Sequence, residues 1–93
     1  MSIALDEKYL FEISNRLGQF KKVGERLWNF RCPICGDSRQ SSTKARGYVY
    51  VAPDRRELLY KCHNCGISVT FSHFLEASFP ELYNRYRFER IQE

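Results

Sequence analysis

No stretch of about twenty apolar residues occurs in this 93-residue chain: Lys, Arg, Asp or Glu interrupts every long window, so nothing in it is built to span a bilayer. Asp6, Glu7 and Glu12 lie where a secretory signal would carry an unbroken apolar core, which leaves disulfides without the oxidising compartment they need. A soluble protein of the cytosol is expected. Aspartate is scarce, with only Asp6, Asp37 and Asp54, and there is neither an Asp-x-Asp pair nor a phosphate-cradling glycine loop. No catalytic centre that holds Mg²⁺ is therefore expected in these residues. Cysteine is confined to four positions, and no low-complexity tract occurs.

Those four cysteines form two copies of one device, Cys32-Pro33-Ile34-Cys35-Gly36 and Cys62-His63-Asn64-Cys65-Gly66, separated by 26 residues. A tight turn between thiols two residues apart aims both sulfurs at one point, and the following glycine accepts positive φ without a Cβ clash. Two such turns supply Cys32, Cys35, Cys62 and Cys65 as a tetrahedral sulfur set for one structural Zn²⁺. A thioredoxin-type redox pair occurs once, in a larger βαβ fold, and does not come as a matched pair. Tetrahedral sulfur also suits iron, so a rubredoxin-like electron carrier remains open at this point. His63 and His73 could each replace a thiolate, but with two matched pairs present, hydrogen bonding to a sulfur or plain exposure is expected of them.

Net charge is +4, and its placement is uneven. Residues 1–30 balance to +1 and 62–93 to −1, whereas Arg31, Arg39, Lys44, Arg46, Arg55, Arg56 and Lys61 give 31–61 a balance of +4. A positive field on the metal-bearing section between near-neutral flanks suits a phosphate backbone. A chain this short buries little apolar surface, so a metal has a folding role as well.

Asp6 is expected to cap a helix over about 6–17, with Tyr9, Leu10, Ile13, Leu17 and Phe20 on one face. Residues 25–31 read as a strand entering the first metal turn, and the wholly polar 37–44 as a loop. Gly47-Tyr48-Val49-Tyr50-Val51-Ala52 alternates as a strand should, with the valines on one face and the tyrosines on the other. Residues 53–56 turn, and 57–61 return as a second strand into Cys62. Thr70 is expected to cap a helix over 71–78 with Phe71, Phe74, Leu75 and Phe79 inward, and Pro80 to start another over 80–92. On that last helix Arg85 is expected to pair with Glu81 and Glu89, four residues to either side.

The expected fold is a small α+β zinc ribbon, a three-stranded antiparallel sheet with a four-cysteine zinc site. An N-terminal helix and two C-terminal helices flank it, all in a single domain over 1–93 with the ribbon at about 25–69. Part of the row Trp28, Phe30, Tyr48, Tyr50 and Tyr60 is expected to face solvent. Tyr48 and Tyr50 beside arginines are candidates to stack on the bases of single-stranded DNA.

The segments Arg31-Cys32-Pro33-Ile34-Cys35-Gly36-Asp37-Ser38, Lys44-Ala45-Arg46-Gly47-Tyr48, Cys62-His63-Asn64-Cys65 and Phe79-Pro80-Glu81-Leu82-Tyr83 together resemble the N-terminal zinc-binding domain of the DNA primases of T-even-type bacteriophages. The resemblance covers most of the chain, in order, and its weight rests on Cys-Pro-x-Cys-Gly-Asp-Ser and Lys-Ala-Arg-Gly. It implies a module that reads a trinucleotide start site on single-stranded template and helps deliver the RNA primer to a polymerase in the cytoplasm of the infected host. It also implies a separate catalytic domain of TOPRIM type holding Mg²⁺, a replicative helicase and other replisome proteins as partners, and no membrane. Bacterial primase ribbons use a histidine in the first pair, whereas Cys32 and Cys35 are both thiols here, as in the phage branch. The alternatives are the rubredoxin-like iron carrier and a zinc ribbon that docks a replication or transcription protein through its end helices.

Overall fold

The computed structural model describes residues 3–34, 45–51 and 57–92. Its elements run α1 (Ile3–Ile13), a 3-10 turn (Ser14–Arg16), β1 (Lys21–Gly24), β2 (Leu27–Phe30), β3 (Gly47–Val51), β4 (Leu58–Cys62), β5 (Ser68–Thr70), α2 (Phe71–Ser78) and α3 (Pro80–Gln92). The result is a small α+β fold in which three α-helices accompany one antiparallel sheet.

That sheet has five strands in the order β1-β2-β3-β4-β5, not three. Both missed strands lie at its edges. Lys-Lys-Val-Gly of β1 is exposed throughout and has no apolar alternation to announce it, and β5 is three residues long. They become strands because β2 and β4 offer open edges, with Lys21 opposite Asn29 and Tyr60 opposite Val69. Arg26, in the turn between β1 and β2, takes φ +54°, the left-handed region.

The inner sheet face and the helices share one core. Trp28, Phe30, Val49, Leu58, Tyr60, Phe71, Phe74 and Leu75 are fully buried in it, as are Tyr9, Leu10 and Ile13 of α1. Of the aromatic row only Tyr48 and Tyr50 keep partial exposure, and Trp28, Phe30 and Tyr60 are core. The period-two alternation assigns them: each pairs across strands with other inward residues, as Trp28 does with Val49 and Val49 with Tyr60. Thr70 caps α2, its hydroxyl accepting from the His73 N–H at 3.2 Å.

Asp6 does not cap α1. The helix starts at Ile3, so Asp6 lies inside its first turn, 3% exposed and turned to the core. There its carboxylate accepts the Leu58 N–H at 2.9 Å and the Tyr86 hydroxyl at 2.5 Å, tying α1 to β4 and α3. The expected pairs within α3 are likewise replaced by ties to the N-terminal segment. Arg85 donates to Glu12 and to the Tyr9 hydroxyl, Glu81 accepts from Arg16, and Glu89 accepts from Lys8 and Tyr9. Docking α3 beside α1 brings these charges within reach of one another, which a single-helix reading cannot foresee.

Burial holds the Asp6 carboxyl above its ordinary value near 3.8, despite the two hydrogen bonds that favour its ionised form. The folded protein thus keeps a proton here at pH values where the unfolded chain has lost it, so this group's contribution declines as pH rises through that window. Relative to Asp6→Asn, which titrates nowhere, wild-type stability is expected to fall from about pH 4 toward neutral. Any acid loss of metal cancels in the comparison. Urea titrations of both proteins across that range check it, and a wild type gaining on the variant as pH rises would show that hydrogen bonding outweighs burial.

Candidate metal centre and outer sheet face

β2 and β4 deliver the cysteines. Cys32 follows Phe30 by two residues and Cys62 follows Tyr60 by two, so both thiols continue the inward face and are buried. Beyond β4 the chain closes a tight turn: the Gly66 N–H donates to the Cys62 carbonyl at 3.0 Å, and the Asn64 and Cys65 N–H groups point at the Cys62 sulfur at 3.3 and 3.4 Å. Gly66 takes φ +79°, the left-handed turn expected of the glycine after the pair.

The sulfurs of Cys32, Cys62 and Cys65 all lie within 4.8 Å of one another. Tetrahedral thiolate coordination at about 2.3 Å requires sulfurs about 3.8 Å apart, so small side-chain adjustments close the cluster on one ion. Burial pushes the Cys62 thiol up to about 12, and the N–H groups aimed at its sulfur act in the opposite sense. A divalent cation would remove that penalty by compensating the thiolate. The three residues fit a soft metal, and the chemistry such an ion supplies at a thiolate site is cross-linking of the chain. Cys35 lies outside the described residues.

The opposite face of the sheet carries a different set. Register aligns Lys21, Asn29, Tyr48, Lys61 and Ser68 in one row across the strands, and Leu27, Tyr50, Leu59 and Thr70 in the next. Tyr48 and Tyr50 are half-buried on this outer face while Val49 is buried on the inner one, as alternation requires; Val51 is also only half-buried. His63 meets Tyr48 edge to face at 5.2 Å between ring centroids. A cleft of about 240 Å³ opens along the β4–β5 edge, lined by Leu59, Ser68, Val69 and Thr70.

The basic candidates separate. Lys61 is exposed beside Tyr48. Arg46 lies near the same end of the sheet, its guanidinium donating to Asn64 at 2.9 Å and so joining the start of β3 to the second cysteine turn. Arg31 is half-buried, with its N–H bound to the Gly18 carbonyl at 2.7 Å and its aliphatic stem against Gly18. Arg39, Lys44, Arg55 and Arg56 lie outside the described residues. Lys21 joins the outer row without having been foreseen; the only signal available was its place four residues before the turn at Glu25–Arg26. His63 was weighed as a ligand, not as a neighbour of Tyr48.

The DNA primase of Enterobacteria phage T4 is 33% identical to this chain over 92 residues, a match that takes in 96% of the chain and 26% of the primase. The matched stretch is the N-terminal part of that protein, and the chain spans about a quarter of its length. The chain is thus similar to the N-terminal part of a phage DNA primase, the resemblance that the Cys-Pro-x-Cys-Gly-Asp-Ser and Lys-Ala-Arg-Gly segments carried. No family model matches it. Among the described residues no helix is long and apolar enough to cross a membrane.

Proposed function

We propose that this relative of the phage primases is a zinc-binding template-recognition module. It binds single-stranded DNA at the priming site, and it assists primer synthesis and hand-off together with a separate catalytic domain. Cys32, Cys35, Cys62 and Cys65 hold one structural Zn²⁺ in this reading, with Cys35 completing the tetrahedron. The observation that carries the DNA-binding part is the outer row in which Tyr48 lies between Lys61 and Asn29, with Tyr50 directly beside it. A ring beside a cation gives a base a stacking surface and a phosphate a counter-charge. The cleft at Leu59, Ser68 and Thr70 leaves room for a neighbouring base.

Replicative helicase and other replisome proteins are the partners this role implies. A rubredoxin-like iron centre would use the same sulfurs, and kinship with a primase favours zinc over it. Colour separates the two, since the zinc protein is colourless and the iron protein red.

Anisotropy titration of a labelled single-stranded oligonucleotide tests the reading. Tyr48→Ala in a folded, zinc-loaded protein is expected to cost about 1 to 3 kcal/mol for each base stacked on that ring. Affinity is expected to fall with salt at a slope of about −0.7 per phosphate neutralised, and Lys61→Ala and Lys21→Ala should each flatten that slope. Unchanged affinity in a Tyr48→Ala/Tyr50→Ala double variant would reassign both rings to packing.

A further inference from the structure

Tyr60 is fully buried, yet its hydroxyl has no hydrogen-bond partner among the described residues. A buried donor left without an acceptor is costly, so such a group needs a reason. Its ring is fixed by packing, stacked on Phe30 at 5.7 Å and against Phe74 at 4.2 Å. The hydroxyl extends from that ring along the sheet to Gly47, where a Cβ would stand 2.7 Å from the Tyr60 oxygen and 2.9 Å from the Phe30 carbonyl oxygen. Only a glycine at 47 leaves room for this placement.

Beyond Gly47 lies the cysteine cluster. Cys62 follows Tyr60 by two residues on the same face, and Gly47 pairs with both Phe30 and Cys62 in the ladder. Cys32 follows Phe30, on whose ring Tyr60 stacks, by two residues, and its sulfur lies within 4.8 Å of those of Cys62 and Cys65. A neutral thiol is a weak acceptor, and the hydroxyl makes no hydrogen bond of ordinary geometry among the described residues. A metal-bound thiolate, carrying negative charge, accepts strongly.

We propose that Tyr60 is a positioning residue of the metal centre, whose hydroxyl donates to the Cys32 sulfur once that sulfur is a metal-bound thiolate. The hydrogen bond would draw charge from the sulfur and hold Cys32, at the start of the first turn, in register with the second. This rests on the metal reading given above. Partners that orient metal ligands in this way typically contribute roughly 10- to 100-fold in metal affinity.

Cobalt(II) is the probe, because thiolate-to-cobalt charge-transfer bands report the electron density on sulfur. Tyr60→Phe removes one oxygen and keeps the ring. In the full chain it is expected to bind Co²⁺ and Zn²⁺ roughly 10- to 100-fold more weakly in chelator competition, with the charge-transfer band moved to longer wavelength. Phe74→Leu, which loosens the core against the same ring but spares the hydroxyl, should leave the band in place. Wild-type affinity and spectrum in Tyr60→Phe would overturn the proposal, as would weakened binding with an unshifted band, the signature of packing alone. A wild-type chain that bound neither ion would remove the metal reading, and the proposal with it.

Discussion

Excess chelator, added under reducing conditions, is expected to unfold the protein at temperatures where the metal-loaded form is fully folded. A structural zinc site is worth about 10 to 16 kcal/mol in apparent binding free energy in small peptides, whereas whole domains are stable by about 5 to 15 kcal/mol. A bound ion would therefore outweigh most of what the core can supply. Its loss cannot stay local, because Cys32 and Cys62 belong to the same buried cluster as Phe30 and Tyr60. The sharpest single test is Cys65→Ser. Cys65 is exposed, and an exposed side chain without a special role changes stability by no more than about 0.5 kcal/mol. As a ligand, it should instead cost as much metal affinity as buried Cys62. Circular dichroism on heating and chelator competition measure both, and a Cys65→Ser protein with unaltered melting would refute the metal site. Affinity is also expected to rise with pH, since each thiol gives up a proton on binding and burial pushes that of Cys62 up to about 12.

How much of this was legible in the residues depended on how local each signal was. The second cysteine turn, the pairing of β3 with β4 and the inward face of α2 rest on spacing and alternation within about ten residues, and there the sequence carries its own register. Tyr48 and Tyr50 could be assigned to the face opposite Val49 on the same ground. What could not be read came from contacts distant in sequence. β1 is a strand because Lys21 and Lys22 lie against β2, not because of their own propensity. Asp6 has the type and position of a helix cap, and only the arrival of Tyr86 and Leu58 converts it into a buried tie. Which of Trp28, Phe30 and Tyr60 would also reach solvent could not be read from their own strands. The helices share their core with the inner face of the sheet, and that core takes in all three.

Within that core Phe74 holds the centre, and Phe74→Ala is expected to cost about 3 to 5 kcal/mol. Its ring is fully buried, with centroids 4.2 Å from Tyr60, 5.8 Å from Phe30 and 6.0 Å from Phe71. It therefore joins α2 to both strands that end in cysteines. The methyl left by truncation reaches none of those rings. Aromatic contacts worth about 0.5 to 1.5 kcal/mol each go with the buried area. Collapse of the void is resisted because the sheet on one side is fixed by its ladder and α2 on the other by its Thr70 cap and its packing on α3. Against the roughly 5 to 15 kcal/mol of a typical domain such a loss is about a fifth or more. Urea unfolding of the zinc-loaded variant measures it. A cost below about 1 kcal/mol would mean that α2 is seated by its other contacts and that Tyr60 does not depend on it.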